Sequence, residues 1–462
     1  MMEHFSIGLS KRALLAVITV LLVIPGCLTV RPQVPTRPQV STPDAQPLSH
    51  LKYLDQTGGR TADDLVKFAI ANNAEIAAMR NEAEAGEALI RQARLRPNPS
   101  VEVSGTRMIG GPDNSLMVEG GLPIELGGRR GSRIRVAERE SEIRKLAVAE
   151  RERQVAAEVR AKFGETLAAA LKLRFTEEML ARAIENFSLV AARVEEGRTP
   201  PLERSMETVE LNRIRATRET SEGAVEIRLL ELRNLTGMPP EEPLRIRGDF
   251  GDLIDQLPPA DEATRQALER RTDLAGARAV EQLAAARTAQ ARTEGRIDAD
   301  VMVGYQRMRS GFPLSGIDEA GALQPIEMRS NFFTFGVRLN LPVRNRNQGM
   351  IEAAILEEEA ARKRREFGEL TIRREVAAAY VRYNRSTRSM EIYRVGVRDQ
   401  AAQNLAVVRQ TYELGSKTLL DFIAEHHRFI ETESGFIDSQ LESYLSRVEI
   451  LRVVNASELI SK

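Results

Sequence analysis

The residue types that bind metal ions in proteins stand side by side at Glu425-His426-His427. Imidazole and carboxylate groups are common ligands of zinc. Neighbouring side chains on a helix point about 100° apart, however, and therefore do not converge on one ion. We interpret the three as ordinary helix residues and predict neither a metal site nor a cofactor.

A glycine-rich stretch from Gly127 to Ser132 has the composition of a phosphate-binding loop. It lacks the spacing and the lysine of a P-loop, and no buried-strand pattern precedes it. The sequence also shows no Ser/His/Asp triad, no paired-carboxylate cleft and no cluster of Cys and His. The 66 basic side chains are balanced by 66 acidic ones, which gives no basic excess for nucleic acid. We therefore predict neither an enzyme nor a nucleic-acid-binding protein.

Another pattern occurs twice in the chain. A glycine is followed by a leucine five residues later and by an acidic residue six residues later. The two sets are Gly197, Leu202 and Glu203, and Gly415, Leu420 and Asp421. The glycines are 218 residues apart, and Leu122-Pro123 recurs as Leu341-Pro342 at a spacing of 219 residues. Two motifs that recur at almost the same spacing indicate a duplicated unit. This spacing is far longer than the repeat length of solenoid proteins.

Long proline-free segments with helical spacing of apolar residues flank both turns. The predicted helices run from Arg129 to Glu195, from Leu202 to Leu235, from Asn347 to Leu414 and from Thr418 to Leu459. Shorter helices, from Thr61 to about Arg96 and from about Asp261 to Gly295, open the two units. At 1.5 Å per residue the longest helix would measure about 100 Å, which no ordinary globular domain needs.

Each unit also contains two stretches of alternating character that predict strands, at 100–108 and 115–123, then at 299–308 and 331–341. A long loop through Pro313 and Pro325 is expected between the last two. The final strand has an apolar face that includes Phe335 and an opposite face that carries Arg338. This alternation is typical of a membrane barrel. Four strands cannot close a barrel, so we expect other copies of the chain to complete the sheet.

The N-terminus has the layout of a secretory signal, since Lys11 and Arg12 precede an apolar run too short to span a bilayer. Cys27 ends this segment and is the sole cysteine, so no internal disulfide can form. We predict a signal peptide at 1–26. The setting of Cys27 resembles a lipobox, which implies lipidation of Cys27, and a proline-rich tether is expected at 27–60.

Together these features resemble the TolC family of outer-membrane efflux ducts. The resemblance covers nearly the whole chain after Thr61 and rests on the two turns and the two Leu-Pro motifs. It implies a mainly α fold with membrane β, in two repeats of helix, strand, strand, long helix and helix, at 61–260 and 261–462. It also implies a homotrimer with a twelve-stranded outer-membrane β-barrel, continued by a long periplasmic α-helical barrel. The stretch from Arg96 to Pro99 resembles the branch that exports heavy-metal cations.

The resemblance further implies roles for residues of the two turns. Asp421 would ring the pore at its constriction, and Glu203, Tyr412 and Lys417 would form a clasp that holds the tip closed. Gly197, Leu202, Gly415, Leu419 and Leu420 would contact the helical hairpin of a periplasmic adaptor. An inner-membrane pump would supply the energy. The arginines at 129, 130 and 133 are expected near lipid headgroups at the periplasmic rim of the barrel.

Two interpretations from different classes follow. The first is a passive, gated duct that exports small molecules or metal cations through the outer membrane, in contact with its lipid. The second is a periplasmic coiled-coil scaffold or adaptor without a pore. The strand pairs favour the duct, because a scaffold has no use for an outward apolar stripe such as Phe335, Val337, Leu339 and Leu341.

Overall fold

The computed structural model describes residues 49–253 and 257–460, and these form long helices and one antiparallel sheet of four strands. The predicted signal peptide, Cys27 and the tether up to residue 48 lie outside the described residues. None of the helices within the described ranges combines the length and the apolar character that a bilayer span requires.

The order of elements repeats once along the chain. The elements are α1 (Ala62–Asn72), α2 (Ala74–Ala93), β1 (Ser100–Arg107), β2 (Asn114–Ile124), α3 (Arg129–Glu195), α4 (Pro201–Thr236), α5 (Ala260–Arg270), α6 (Thr272–Glu294), β3 (Asp298–Ile317), β4 (Leu323–Asn340), α7 (Gln348–Ile392), α8 (Asp399–Glu413) and α9 (Leu419–Val454). Short 3₁₀ turns occur at Ser49–Lys52, Phe250–Leu253 and Ser457–Leu459. Each repeat therefore consists of a helix pair, two strands, a long helix and a second helix that runs back along it.

The helix that opens each unit, expected as one continuous helix, is broken into two. Asn73 has an extended backbone (ψ 120°), and its side chain accepts hydrogen bonds from the N–H groups of Glu75 and Ile76 at 2.9 and 3.2 Å. Arg271 is also extended (ψ 125°), and its guanidinium binds Asp273. The break at Asn73 arises because its side chain supplies a local acceptor that competes with the helical hydrogen bonds, whereas Arg271 forms no such cap and its ion pair holds the side chain across the break.

A widened turn interrupts the helix expected from Asn347 to Leu414. Residues Tyr393–Arg398 form a π-helix between α7 and α8. Within this turn Arg398 pairs with Glu433 of α9 at 2.6 Å and lies 5.1 Å over the ring of Phe436. These contacts hold α9 against the π-helix. Short π-helical segments within α-helices often occur at functional sites.

The sheet has the order β1-β2-β3-β4, with every pair antiparallel. The predictions for the last two strands were too short, because Pro313 and Pro325 lie inside β3 and β4 and not in a loop. A bulge between Gly311 and Ser315 accommodates Pro313, and β4 is an edge strand, where proline is tolerated. The N–H of Gly311 donates to Asp113 at 2.7 Å, which joins the bulge to the turn between β1 and β2.

The strand register sorts the side chains into two faces. The face that we name the apolar face carries Val101, Val103, Val118, Leu122, Val301, Val303, Tyr305, Phe333, Phe335, Val337 and Leu339. Most of these side chains are exposed in the single chain, and the rings of Tyr305 and Phe333 pack at a tilt of 50° with their centroids 5.1 Å apart. The opposite face carries polar and small residues such as Glu119, Gly304 and Thr334. One stripe of the sheet therefore needs an apolar environment.

The helices pack around separate apolar cores. The largest contains Leu65, Phe163, Leu167, Leu173, Leu232 and Phe250 and joins α1, α3, α4 and the last part of α9. A smaller one, which includes Val376 and Val453, joins α5, α7 and α9. Near the first turn, Phe187 of α3 packs with Leu211 and Ile214 of α4. Each buried side chain of this size stabilises the packing by about 1.5–3 kcal/mol.

Candidate functional site

The two glycine turns have the same backbone structure. Gly197 and Gly415 both adopt left-handed conformations, with φ of 73° and 77°. At the first turn the N–H of Gly197 bonds the carbonyl of Val194 (3.1 Å) and that of Arg198 bonds Arg193 (2.9 Å). The second turn repeats this pair of bonds from Gly415 to Tyr412 and from Ser416 to Thr411, both at 2.9 Å. Each turn is thus the glycine-dependent end of a long helix.

A hydrogen bond joins the two turns. The hydroxyl of Tyr412, near the end of α8, donates to Oε2 of Glu203, in the first turn of α4, at 3.0 Å. Burial and then this carboxylate raise the pKa of Tyr412 to about 12, so the phenol stays a donor at neutral pH. The Tyr412 ring stacks on Phe422 at 5.9 Å, and Phe422 stacks on His426 at 6.0 Å. The structure thus brings two of the three expected clasp residues together.

The third residue expected in the clasp, Lys417, is not brought to Glu203. In the part of the chain that the structure describes, Lys417 forms no ion pair and lies in the exposed turn between α8 and α9. Its charge adds to the hydrogen bonds from Thr418 that lower the pKa of the nearby Asp421 carboxyl. Of the three residues expected in the clasp, the structure therefore joins only Glu203 and Tyr412 within one chain.

Asp421, expected at the pore constriction, lies in the first turn of α9. Its Oδ2 accepts hydrogen bonds from the backbone N–H of Thr418 (3.0 Å) and from the Thr418 hydroxyl (2.8 Å). The Thr418 hydroxyl in turn accepts from the N–H of Asp421 at 3.2 Å, which completes a capping box. The hydrogen bonds to Thr418 lower the pKa of the exposed Asp421 carboxyl. Asp421 is therefore a negative charge held in one orientation at the start of α9.

Sequence reasoning missed two buried acids on α4 above this clasp. Glu207 and Glu210 follow Glu203 on one helix face, and Glu207 is only 4% exposed. Burial, and then the charges of Glu210 and Glu203, raise the pKa of Glu207 to about 7. The spacing of four and three residues was the available signal, since Leu211 and Ile214 continue the same buried side of α4.

The candidate metal residues of α9 go to different partners. Glu425 pairs with Arg428 at 3.0 Å, and His427 binds Glu210 of α4 at 2.8 Å. His426 is buried against Phe422, and burial lowers its imidazole pKa. Among the described residues, no group of three or more His, Cys, Asp or Glu side chains is arranged to hold a metal ion.

The leucines expected to contact an adaptor differ in exposure. Leu202 is 68% exposed and Leu420 is 62% exposed, each just after its turn. Leu419, expected on the same surface, is only 3% exposed, so that prediction was wrong. Leu419 begins the buried face of α9, which continues with Phe422, His426 and Phe429 at helical spacing.

The arginines after β2 hold the strands to the helices. Arg129 pairs with Asp298 of β3 and donates to the carbonyls of residues 294 and 296. Arg133 pairs with Glu125 and donates to the carbonyls of Ala93 and Leu95. Arg130 donates to the carbonyl of Arg94 at 2.9 Å. All three side chains therefore bind protein groups where the strands meet the helices, and their position near lipid headgroups stays a prediction.

Known proteins resemble the chain over most of its length. The family model described as outer membrane efflux protein matches residues 65–238 and 263–432, one segment in each repeat of elements. The cobalt-zinc-cadmium resistance protein CzcC of Cupriavidus metallidurans is 24% identical over 407 residues, covering 87% of this chain and 91% of CzcC.

Solved structures agree in fold. A crystal structure of CusC superposes with a TM-score of 0.71 at 16% identity, covering 87% of this chain and 95% of CusC. The open state of the MtrE outer membrane channel of Neisseria gonorrhoeae gives 0.69 at 16% identity, covering 87% and 89%. The family model matches well over half of the sequence. The chain therefore belongs to the outer membrane efflux protein family, and it is an efflux duct located in the outer membrane.

Proposed function

We propose that three copies of the chain assemble into one duct, with a twelve-stranded barrel in the outer membrane and a helical tunnel in the periplasm. The sheet supports this assembly, because β1 and β4 are open edges and the apolar face needs lipid. Unpaired strand edges are not tolerated in a bilayer, so the edges of neighbouring copies must pair. Lipidation of Cys27 would add an anchor beside the barrel.

The hydrogen bond between Tyr412 and Glu203 is the observation that supports the proposed gate. It ties the end of α8 to the start of α4, so it spans the two repeats at the tip of the tunnel. A single hydrogen bond to a charged group contributes about 1.5–3 kcal/mol, which a partner protein can overcome on binding. Asp421 of each copy would add a ring of negative charge that favours the passage of cations.

The exposed Leu202 and Leu420 form the surface that an adaptor would contact. Apolar side chains at the centre of a protein interface supply much of its binding energy. The duct has no energy source of its own, so an inner-membrane pump would drive export through the adaptor. The similarity to a cobalt-zinc-cadmium resistance protein favours divalent metal cations as the cargo, ahead of other small molecules.

The experiment that tests the gate is single-channel conductance of the purified protein in planar bilayers, with oligomer size measured on the same sample. Tyr412→Phe removes the hydroxyl that binds Glu203 but keeps the ring that stacks on Phe422. Tyr393→Phe is the matched control, because the Tyr393 hydroxyl has no hydrogen bond within the described ranges. We expect larger or more frequent openings for Tyr412→Phe and unchanged openings for Tyr393→Phe.

Two results would contradict the proposal in different ways. A trimer in which Tyr412→Phe conducts like the wild type would remove the hydrogen bond from the gate and leave the duct in place. A monomeric protein without conductance would remove the duct itself, and the pore-free scaffold would then explain the long helices better.

A further inference from the structure

The apolar face of the sheet changes character above Tyr305 and Phe333. These two residues share a row with Val103 and Val118 across the four strands. The next two rows on the same face contain Gly105, Leu116, Arg307 and Asn331, and then Arg107, Asn114, Arg309 and Arg329. Four arginines thus follow directly after an aromatic pair, at the end of the sheet away from the helices. We name Arg107, Arg307, Arg309 and Arg329 the arginine belt.

The charges of the belt are largely unbalanced. Glu327 pairs with Arg309 through both guanidinium Nε, at 2.7 Å, and Nη2. Within the residues that the structure describes, Arg107, Arg307 and Arg329 form no ion pair, and all three are exposed. Arg309 and Arg329 stand directly opposite each other on neighbouring strands, an arrangement of like charges that is destabilising by itself. An anionic partner from outside the chain would remove that cost.

The periplasmic end of the sheet provides a contrast within the same molecule. There Arg129 pairs with Asp298 and Arg133 pairs with Glu125, and both also bind backbone carbonyls. Each of those two arginines already has a carboxylate partner within the chain. The two groups of arginines therefore differ in their partners. Within the described residues, three arginines of the belt have no carboxylate partner, whereas Arg129 and Arg133 each have one.

We propose that the arginine belt binds the phosphate groups of anionic lipid headgroups in the outer leaflet of the membrane. The inference rests on the proposed barrel, which places the apolar face toward lipid. Guanidinium groups bind phosphate oxygens through two parallel hydrogen bonds, which suits arginine better than lysine. Tyr305 hydrogen-bonds Asn331 at 2.9 Å, and such aromatic residues mark the boundary between hydrocarbon and headgroups.

The dimensions agree with this depth. Strands advance about 3.3 Å per residue, so Arg307 and Arg309 lie about 7 and 13 Å beyond Tyr305 along β3. A strand tilt of about 40° reduces these to about 5 and 10 Å along the membrane normal. The headgroup region of one leaflet is about 5–8 Å thick. The row of Arg307 therefore falls within the headgroup layer. The row of Arg309 lies slightly beyond it, at a distance that long arginine side chains can span by extending back toward the headgroups.

The test measures how much anionic lipid the full-length trimer retains. Trimers are reconstituted into phosphatidylcholine nanodiscs that contain diphosphorylated lipid A, and the lipid that stays bound after their release is counted by native mass spectrometry. Arg329→Gln removes one belt charge, and the combination R107Q/R307Q/R329Q removes the three unpaired ones. Arg338→Gln is the matched control, because Arg338 lies on β4 but on the opposite, polar face.

A basic side chain at an anionic lipid surface strengthens binding by about fivefold. We therefore expect about fivefold weaker lipid retention for Arg329→Gln, on the order of a hundredfold for the triple variant, and no change for Arg338→Gln. Raised salt should reduce the difference, because screening weakens exposed charges. Inorganic phosphate at the concentration of the lipid should not compete.

Several outcomes would overturn the inference. Equal retention by the wild type and the triple variant, or an equal loss in Arg338→Gln, would mean that the belt does not bind the lipid. Full competition by inorganic phosphate would indicate a free-anion site instead. Conductance and oligomer size of the same samples separate this result from the proposed function, since conducting trimers without lipid preference would refute the belt alone.

Discussion

Asp421 combines two properties that a simple alanine substitution would remove together. It is an exposed negative charge at the tip, and its carboxylate closes the capping box of α9 with Thr418. Loss of such a cap costs about 1 kcal/mol, which would loosen the start of the helix. A leak caused by Asp421→Ala would therefore not identify the charge as its cause.

We predict that Asp421→Asn will lower the cation selectivity of the trimer. Asparagine keeps an oxygen that can accept the Thr418 hydrogen bonds but carries no charge. Thr418→Ala serves as the complementary variant, because it removes the cap and keeps the charge. Selectivity is measured from reversal potentials in a salt gradient. If Thr418→Ala alters selectivity and Asp421→Asn does not, the role of Asp421 is to cap the helix.

Glu207 predicts a dependence of stability on pH. Its pKa of about 7 lies above the ordinary value of 4.5, because burial disfavours the charged form. The folded protein therefore binds this proton more tightly than the unfolded chain does. The stabilisation is complete below pH 4.5 and is lost as the pH rises through 7, by at most about 3 kcal/mol.

We expect Glu207→Gln to raise the melting temperature at pH 8 and to leave it nearly unchanged at pH 4.5. Glutamine resembles the neutral carboxyl and avoids a buried charge next to Glu203 and Glu210. Thermal melts of the purified trimer across this pH range provide the measurement. Glu241→Gln, at an exposed position, is the control and should shift neither value. A Glu207→Gln variant that is less stable at pH 8 would show that the carboxylate has a favourable partner.

At the scale of elements, the sequence predicted the long helices, whose apolar residues recur at helical spacing. The bounds of α3 agree with the prediction because apolar spacing and the absence of proline act over the whole segment. The break at Asn73 was missed because a single side-chain cap outweighs the helix propensity of its neighbours. The length of β3 and β4 was missed because Pro313 and Pro325 ordinarily mark loops, and the bulge that admits one of them was not visible in the sequence.

The turns allow a paired prediction on glycine. Gly415→Ala should lower the melting temperature, because its left-handed backbone costs a side-chain-bearing residue about 1–2 kcal/mol. Gly368→Ala, within α7 and with no atom near the added methyl group, should raise it by a smaller amount. Thermal melts of the two variants, which add the same methyl group, test the opposite signs. Stabilisation by Gly415→Ala would mean that the turn does not require glycine.

At the scale of the whole molecule, contacts between distant segments separate what the sequence could predict from what it could not. The bond between Glu203 and Tyr412 joins residues 209 positions apart and was expected only through the family resemblance. No resemblance suggested Glu207, whose pKa depends on packing between helices. The arginine belt likewise became visible only when the register aligned Arg107 with Arg309 and Arg329.

The assignment of the two faces of the sheet gives the last prediction, since it decides which side chains face the lipid and which face the lumen. Phe335 and Thr334 are neighbours on β4, but the pleat directs them to opposite faces. Arginine on the lipid face near the middle of a bilayer costs about 2–4 kcal/mol, whereas arginine in a water-filled lumen costs little. Phe335→Arg should therefore reduce the amount of trimer in the outer membrane fraction. Thr334→Arg should assemble normally and conduct cations less well, because three added positive charges would line the pore. Equal assembly of both variants, measured by trimer yield in isolated outer membranes, would contradict the assignment of the faces.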